Sequence, residues 1–105
     1  MKEPALQPAE LDLIRSVLRR HPQVRTATLF GSRAKGTQTS RSDVDLALDG
    51  NLALLDAEAI AAELEELPLP YRFDVHALGW ISSNPLLDHI ARVGMLIYPG
   101  EDTAA

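Results

Sequence analysis

The stretch GSRAKGTQTSRSDVD, residues 31–45, decides how the rest of the chain is interpreted. A Gly-Ser turn stands at one end, two aspartates one residue apart stand at the other, and basic and hydroxyl side chains lie between them. The preceding segment, VRTATLF at 24–30, is β-branched and apolar, which predicts a strand that ends in the glycine turn. DVDLALD at 43–49 predicts a second strand that ends in turn-forming residues.

Helical and strand patterns alternate along the remaining sequence. Helices are predicted over AELDLIRSVLRRHP (9–22, ended by Pro22), LLDAEAIAAELEEL (54–67) and NPLLDHIARVG (84–94, with Asn84 as the cap), and strands over YRFDVHAL (71–78) and MLIYP (95–99). A short helical turn is expected to begin at Ser32. This alternation predicts an α/β (α+β) fold, in which a small mixed β-sheet has helices packed against it.

The composition is that of an ordinary globular domain. With 105 residues, 46% of them hydrophobic and 24% charged, we expect a single domain over residues 1–105 with an ordered core at 8–99. The absence of cysteine excludes disulfides and thiolate zinc sites. The first ten residues lack an apolar signal core, and no run approaches the roughly 18 apolar residues of a membrane span. We therefore expect a cytoplasmic protein.

Charge is distributed in two blocks. The formal net charge of -5 disfavours nucleic acid as a direct substrate. Seven of the ten Lys and Arg residues lie between positions 15 and 42, where no acid occurs, and residues 43–66 hold eight acids with no Lys or Arg. Such blocks are commonly just solvated faces, although the acidic one is also a candidate docking surface for a basic partner.

The two ends of the opening stretch suit two kinds of ligand. Gly31 and Ser32 follow a strand and open a helical turn, so backbone N–H groups and a hydroxyl would converge where phosphate is favoured. The alternative for this pair is a plain turn. Asp43 and Asp45 project from the same face of their strand, where their charges repel unless a cation lies between them. Oxygen-only ligands suit Mg²⁺ or Mn²⁺, and the alternative is a pair of solvated aspartates at a strand end.

A third acid extends this pattern. Asp74 interrupts an apolar strand, where it is either a costly buried charge or part of a site. If its strand lies beside the one that carries Asp43 and Asp45, the three carboxylates converge. Three acids can hold two metal ions about 3.5 to 4 Å apart, an arrangement that serves phosphoryl and nucleotidyl transfer.

Other polar side chains have less specific interpretations. Arg33 and Lys35 are candidates for phosphate contact, with simple solvation as the alternative. His76 is two positions after Asp74 and could face the site, but a half-buried strand histidine is the expected case. His21 and His89 are expected on helix surfaces.

Residues 31–45 as a whole resemble the GS-x10-DxD signature of the nucleotidyltransferase superfamily that includes DNA polymerase beta. The context Ser42–Leu46, together with Arg33 and Gly36, resembles the small prokaryotic branch, the minimal nucleotidyltransferases. The likeness extends through Asp74 to the final strand and covers residues 10–99.

The resemblance implies a role for each matching residue. Ser32 would contact the nucleotide phosphates, with Gly31, Arg33 and Ser42 in the same phosphate-binding site. Asp43 and Asp45 would bind both metal ions, and Asp74 would bind the catalytic ion and assist the nucleophile. The implied cofactor is a pair of Mg²⁺ ions, with Mn²⁺ as a substitute, and the implied substrate is ATP.

The resemblance also implies a protein partner. Minimal nucleotidyltransferases are commonly paired with helical HEPN proteins, in pairs that resemble toxin–antitoxin systems. By this likeness the chain would be an antitoxin that places AMP on a tyrosine of a HEPN-type toxin. Two alternatives stay open: a nucleotide-binding module that neutralises its partner by binding alone, and an enzyme that nucleotidylates antibiotics. The three mutually repelling carboxylates favour an enzyme over a pure binding module.

Overall fold

The computed structural model describes residues 6–36 and 43–99, and each predicted helix and strand is present in them. The helices are α1 (Pro8–Arg19), α2 (Ser32–Lys35), α3 (Leu54–Glu65) and α4 (Asn84–Val93), and the strands are β1 (Val24–Phe30), β2 (Val44–Gly50), β3 (Phe73–Ala77) and β4 (Met95–Tyr98). A 3-10 helix at Leu78–Trp80, which the sequence patterns did not predict, follows β3 directly. No helix in the described residues is long and apolar enough to cross a membrane.

The four strands form one mixed sheet in the order β3-β2-β1-β4. β1 pairs antiparallel with both β2 and β4, whereas β2 and β3 run parallel. A parallel pair needs a crossover connection, and α3 supplies it between β2 and β3. The small mixed sheet with packed helices that the sequence predicts is therefore confirmed.

The two faces of the sheet are covered unequally. Helices α1 and α3 cover one face, and this main core includes the fully buried residues Ile14, Val17, Leu18, Leu29, Leu46, Leu48, Ile60 and Leu64. On the other face α4 packs a smaller cluster, in which Ile90 meets Phe30 and Ala47. Because side chains alternate along β2, Val44, Leu46 and Leu48 point into the main core and Asp45 points to the α4 face.

The end of α1 differs from the prediction. The helix stops at Arg19 and does not continue to Pro22, because the residue before a proline disfavours helical dihedral angles. The chain turns instead, with the His21 N–H bonded to the Leu18 carbonyl at 3.0 Å. His21 is not a helix-surface residue: its side chain is 17% exposed, and Nε2 lies 3.0 Å from Oε2 of Glu63. That part of the prediction is wrong.

Helix α4 is capped one residue earlier than predicted. The Ser83 hydroxyl oxygen accepts a hydrogen bond from the Leu86 N–H at 3.3 Å, so Ser83 is the N-cap and Asn84 is already helical. Gly94 follows the helix as predicted. A β-carbon on Gly94 would come within 2.6 Å of Cγ2 of Thr28, so this glycine lets the end of α4 lie close to β1.

Candidate functional site

Strand β1 leads into a tight turn at Gly31. Gly31 has φ 77° and ψ −155°, a backbone region that essentially only glycine adopts. The half-buried Ser32 then begins α2, a single turn held by the Lys35 N–H bonded to the Gly31 carbonyl (3.0 Å) and the Gly36 N–H bonded to the Ser32 carbonyl (2.9 Å). Ser32 is thereby fixed directly after the strand.

The candidate carboxylates lie side by side at the ends of β2 and β3. In the sheet register, Asp45 is opposite Phe30 of β1 on one side and opposite Asp74 of β3 on the other. Asp43 is two residues before Asp45 and directly precedes β2. A β-carbon on Gly31 would overlap Oδ2 of Asp45 and would lie 3.2 Å from its Cγ. The turn predicted to bind phosphate and the Asp45 carboxylate predicted to bind metal are therefore in direct contact.

The electrostatic environment of Asp45 disfavours its ionised form. Burial raises the pKa of the Asp45 carboxyl most, and the neighbouring charges of Asp74 and Asp43 raise it further. His76 and His89 act in the opposite direction and lower this pKa. The ionised carboxylate thus lies in a partly desolvated, negatively charged environment, which a nearby cation would relieve.

The donor chemistry of the three carboxylates fits a hard divalent cation. Their donor atoms are all oxygens, which Mg²⁺ and Mn²⁺ prefer as ligands, and a bound cation would offset the repulsion between the three negative charges. With the side chains as they stand, no group of three or more His, Cys, Asp or Glu residues within 6–36 and 43–99 is arranged to hold a metal ion. Asp43, Asp45 and Asp74 therefore stay predicted metal ligands.

Arg33, a predicted phosphate-binding residue, is buried. Only 4% of Arg33 is exposed, and its guanidinium carbon lies 4.2 Å from the centre of the Tyr71 ring. The Tyr71 hydroxyl in turn donates a hydrogen bond to Oε2 of Glu10 at 2.9 Å. These contacts connect the first turn of α1 with α2 and so brace the segment after Gly31. Ser42, the remaining predicted phosphate-binding residue, lies outside the described part of the chain.

Residues 12–103 match the family model described as polymerase beta, nucleotidyltransferase. The chain belongs to this nucleotidyltransferase family. The superfamily that the sequence motif indicated is thereby confirmed, and so is transferase chemistry on a nucleotide as the general activity of the fold. No curated protein sequence is significantly similar to this nucleotidyltransferase.

Several solved structures share the fold. A chain of a toxin–antitoxin complex with AMP-PNP is 24% identical, with a TM-score of 0.73 over 89% of this chain and 76% of that chain. A chain of the tri-AMPylated Shewanella oneidensis HEPN toxin in complex with MNT antitoxin is 20% identical, with a TM-score of 0.69 over 94% of this chain and 76% of that chain. A chain of the toxin–antitoxin MntA–HepT is 21% identical, with a TM-score of 0.68 over 93% and 76%. At these identities the likeness shows a common fold.

Two histidines of the nucleotidyltransferase lie closer to the carboxylates than the sequence indicated. Nε2 of His76 is 3.2 Å from Oδ2 of Asp74, so this half-buried strand histidine also contacts the candidate site. His89, expected on a helix surface, packs edge-on against Phe30 with the ring centres 6.1 Å apart. Its charge lowers the pKa of the Asp45 carboxyl. The signal for His89 was its place in the apolar stripe of α4, one residue before the buried Ile90.

Proposed function

We propose that this nucleotidyltransferase transfers AMP from ATP to a tyrosine hydroxyl of a HEPN-type toxin and thereby acts as its antitoxin. The observation that carries the proposal is the position of Asp45, whose carboxylate contacts the Gly31 turn and is paired in register with Asp74. The proposed phosphate-binding turn and a proposed metal-binding carboxylate are thus adjacent, as nucleotidyl transfer requires. The structural neighbours with AMP-PNP and with an AMPylated HEPN toxin support both the nucleotide and the partner.

In the proposed complex the triphosphate lies against the end of β1. Gly31 lets the phosphates approach the backbone closely, and Ser32 donates its hydroxyl to a phosphate oxygen. Arg33 and Ser42 complete the proposed phosphate-binding set. Since Arg33 is stacked on Tyr71, its contribution is a fixed positive charge beside the turn, with little freedom to reach out.

Asp43, Asp45 and Asp74 are the proposed ligands of two divalent cations, Mg²⁺ or Mn²⁺. When bound, such ions supply charge neutralisation on the phosphates and activation of the attacking hydroxyl. Asp45 is the central ligand of this set, because it lies between the turn on β1 and Asp74 on β3.

The transfer is a displacement at the α-phosphorus of ATP. The phenolic oxygen of the acceptor forms a bond to this phosphorus while the bond to the oxygen shared with the β-phosphorus breaks, so pyrophosphate leaves. The phenolic proton passes to a carboxylate oxygen of Asp74. Asp74 suits this role because its side chain is 58% exposed and its Oδ2 is oriented by His76 at 3.2 Å.

Intact-mass spectrometry tests the proposal. The candidate HEPN-type partner is mixed with the nucleotidyltransferase, ATP and Mg²⁺, and we expect the mass of the partner to increase by one or more AMP groups. With Asp45→Asn we expect no increase. A partner that is inhibited but never modified would contradict the proposal and favour neutralisation by binding alone.

A further inference from the structure

Building on this proposed transfer, we infer that the groove along the outer edge of β3 receives the partner segment that presents the acceptor hydroxyl. β3 is the last strand on its side of the sheet, so its outer edge has no neighbouring strand among the described residues. The groove between this edge, α3 and α4 has a volume of about 370 Å³. Its walls include Leu54 and Glu58 of α3, His76 of β3, and Trp80, Ile81 and Leu86 of the following segment.

The groove carries exposed apolar side chains. Leu54 and Trp80, which line the groove, are 52% and 59% exposed, and Leu55, which follows Leu54 in α3 but is not part of the groove lining, is 73% exposed. The Trp80 Nε1–H donates a hydrogen bond to the Leu52 carbonyl at 3.0 Å, which joins the two walls of the groove. A fixed, exposed tryptophan beside exposed leucines is the kind of surface that anchors a partner protein, because little side-chain entropy is lost on binding.

The groove is continuous with the candidate site through His76. This residue lines the groove and also lies 3.2 Å from Asp74 with its Nε2. A partner seated in the groove therefore lies next to the carboxylate to which the proposal assigns the acceptor.

The order of elements across the sheet, taken together with the proposed contact between Ser32 and the leaving phosphates, gives the direction of attack. Ser32 follows β1, Asp45 lies on β2, Asp74 lies on β3, and the groove lies beyond β3. In a phosphoryl displacement the attacking and leaving oxygens are roughly in line on opposite sides of the phosphorus. With pyrophosphate leaving towards Ser32, the acceptor hydroxyl must arrive from the side of β3 and its groove.

The groove also specifies the chemistry of its occupant. Leu54, Trp80 and Leu86 fit an apolar side chain near the acceptor tyrosine. Glu58 on the wall favours a basic residue beside it. Asp49 and Glu63 of the block at 43–66 already form ion pairs within the chain, with Arg25 at 3.2 Å and with Arg20 at 3.5 Å, so the groove is a narrower docking surface than the whole block.

Alanine variants test the groove. We expect Trp80→Ala to weaken the complex with the HEPN-type partner about tenfold or more, and Leu54→Ala severalfold, with the AMP-transfer rate at low partner concentration falling in parallel. The matched control is Leu96→Ala, since Leu96 is 62% exposed on β4 at the opposite edge of the sheet, and we expect a change within about twofold. Affinity for ATP, measured by calorimetry with Mg²⁺, should stay unchanged in all three variants.

A pair of charge reversals tests the basic partner segment. Glu58→Lys is expected to weaken binding of the partner, and the loss should be larger at low salt. Glu66→Lys is the control, because Glu66 is the C-cap at the far end of the same helix, and the affinity for the partner should stay unchanged.

Three results would overturn the inference while leaving the proposed function intact. The first is wild-type binding and transfer in both Trp80→Ala and Leu54→Ala. The second is loss of ATP affinity in these variants, which would assign the groove to the nucleobase, and the third is conversion of a free dimer of this chain to a monomer, which would assign the groove to a second copy. Melting temperatures of the variants show whether each one is folded. Failure of the wild type to modify the partner in the same assay would instead overturn the proposed function, and the inference with it.

Discussion

The carboxylate of Asp45 occupies the position that a β-carbon on residue 31 would take. Gly31 directly follows β1 and has a φ of 77°, and Asp45 is opposite the preceding residue, Phe30, in the antiparallel pair β1–β2. Two independent reasons therefore require glycine at position 31: its backbone angle and the close approach of the carboxylate. The contact fixes the distance between the proposed phosphate-binding turn and the proposed metal ligands.

Gly31→Ala is therefore expected to damage both stability and activity. The backbone angle alone costs about 1–3 kcal/mol for a residue with a β-carbon, and the Asp45 carboxylate must also move. We expect a lower melting temperature and loss of AMP transfer. Gly36→Ala gives a lower bound on the backbone cost, because Gly36 has a positive φ (83°) in the left-handed helical region, which alanine adopts more readily than the region of Gly31, and its β-carbon would have no described atom within 4 Å. Equal losses of stability in the two variants would argue against the contact with Asp45.

Neutralising the central carboxylates should separate activity from stability. Asp45→Asn and Asp43→Asn are each expected to reduce transfer by more than about 100-fold, because each removes a proposed metal ligand. The fold should be retained or slightly stabilised in the metal-free protein, because like-charge repulsion is relieved. Asp49→Asn, on the same strand, is the matched control: among the described residues it loses an exposed ion pair with Arg25, and it should stay active. Unfolded variants, or near-normal transfer, would contradict the assignment.

The raised pKa of Asp45 gives a dependence of stability on pH. Because the folded protein holds the Asp45 proton more tightly than the unfolded chain, this group favours folding most below the ordinary value of 3.8. Its contribution is lost as the pH rises through the higher folded pKa. In urea unfolding, the difference in stability between Asp45→Asn and the wild type should therefore grow in favour of the variant from acid to neutral pH. A difference that is constant with pH would show that the pKa of Asp45 is not raised.

The motif and the strands that carry it were predictable because their causes are local. The β-branched run at 24–30 and the glycine after it define β1 and the turn, and alternation along β2 places Asp45 away from the main core. The sequence did not predict that β2 and β3 are neighbours. It predicted only that Asp74 would lie close to Asp45 if the two strands were adjacent. Strand order depends on the packing of α3 across the sheet, which no local pattern specifies.

The features that sequence analysis missed depend on contacts between distant segments. The burial of Arg33 needs Tyr71, 38 positions later in the chain, and the position of His89 against Phe30 needs α4 to pack on the sheet. The groove beside β3 arises from a 3-10 helix whose residues, Leu78–Trp80, form no periodic pattern. Such positions carry no periodic signal of their own, so charge and hydropathy patterns alone do not locate them.

Ser32→Ala tests the phosphate-binding end of the site. Loss of one hydrogen bond to a charged group is expected to weaken ATP binding by about 1–3 kcal/mol, measured by calorimetry with Mg²⁺ present. Metal binding should persist, because no proposed metal ligand is changed. Ser16→Ala is a suitable control, since the Ser16 hydroxyl donates only to the Leu13 carbonyl on the exposed side of α1. Equal ATP affinity in the wild type and Ser32→Ala would remove Ser32 from the site.

The contacts of Tyr71 allow its hydroxyl and its ring to be tested separately. The hydroxyl donates to Glu10 at 2.9 Å, whereas the ring supports the Arg33 guanidinium at 4.2 Å. Tyr71→Phe removes only the hydrogen bond, so we expect a loss of about 1 kcal/mol in unfolding free energy and no change in ATP affinity. Tyr71→Leu also removes the cation–π contact, worth about 0.5–2 kcal/mol, and frees Arg33 to move.

If Arg33 is the fixed charge beside the phosphates, Tyr71→Leu should therefore weaken ATP binding while Tyr71→Phe does not. Urea unfolding and calorimetry on the two variants give both quantities, and Arg33→Lys provides a third comparison, because it keeps the charge but not the planar stacking. ATP affinity that falls equally in Tyr71→Phe and Tyr71→Leu would assign the effect to the hydroxyl and to α1. Unchanged affinity in Tyr71→Leu and in Arg33→Lys would mean that Arg33 braces the turn without contributing to phosphate binding.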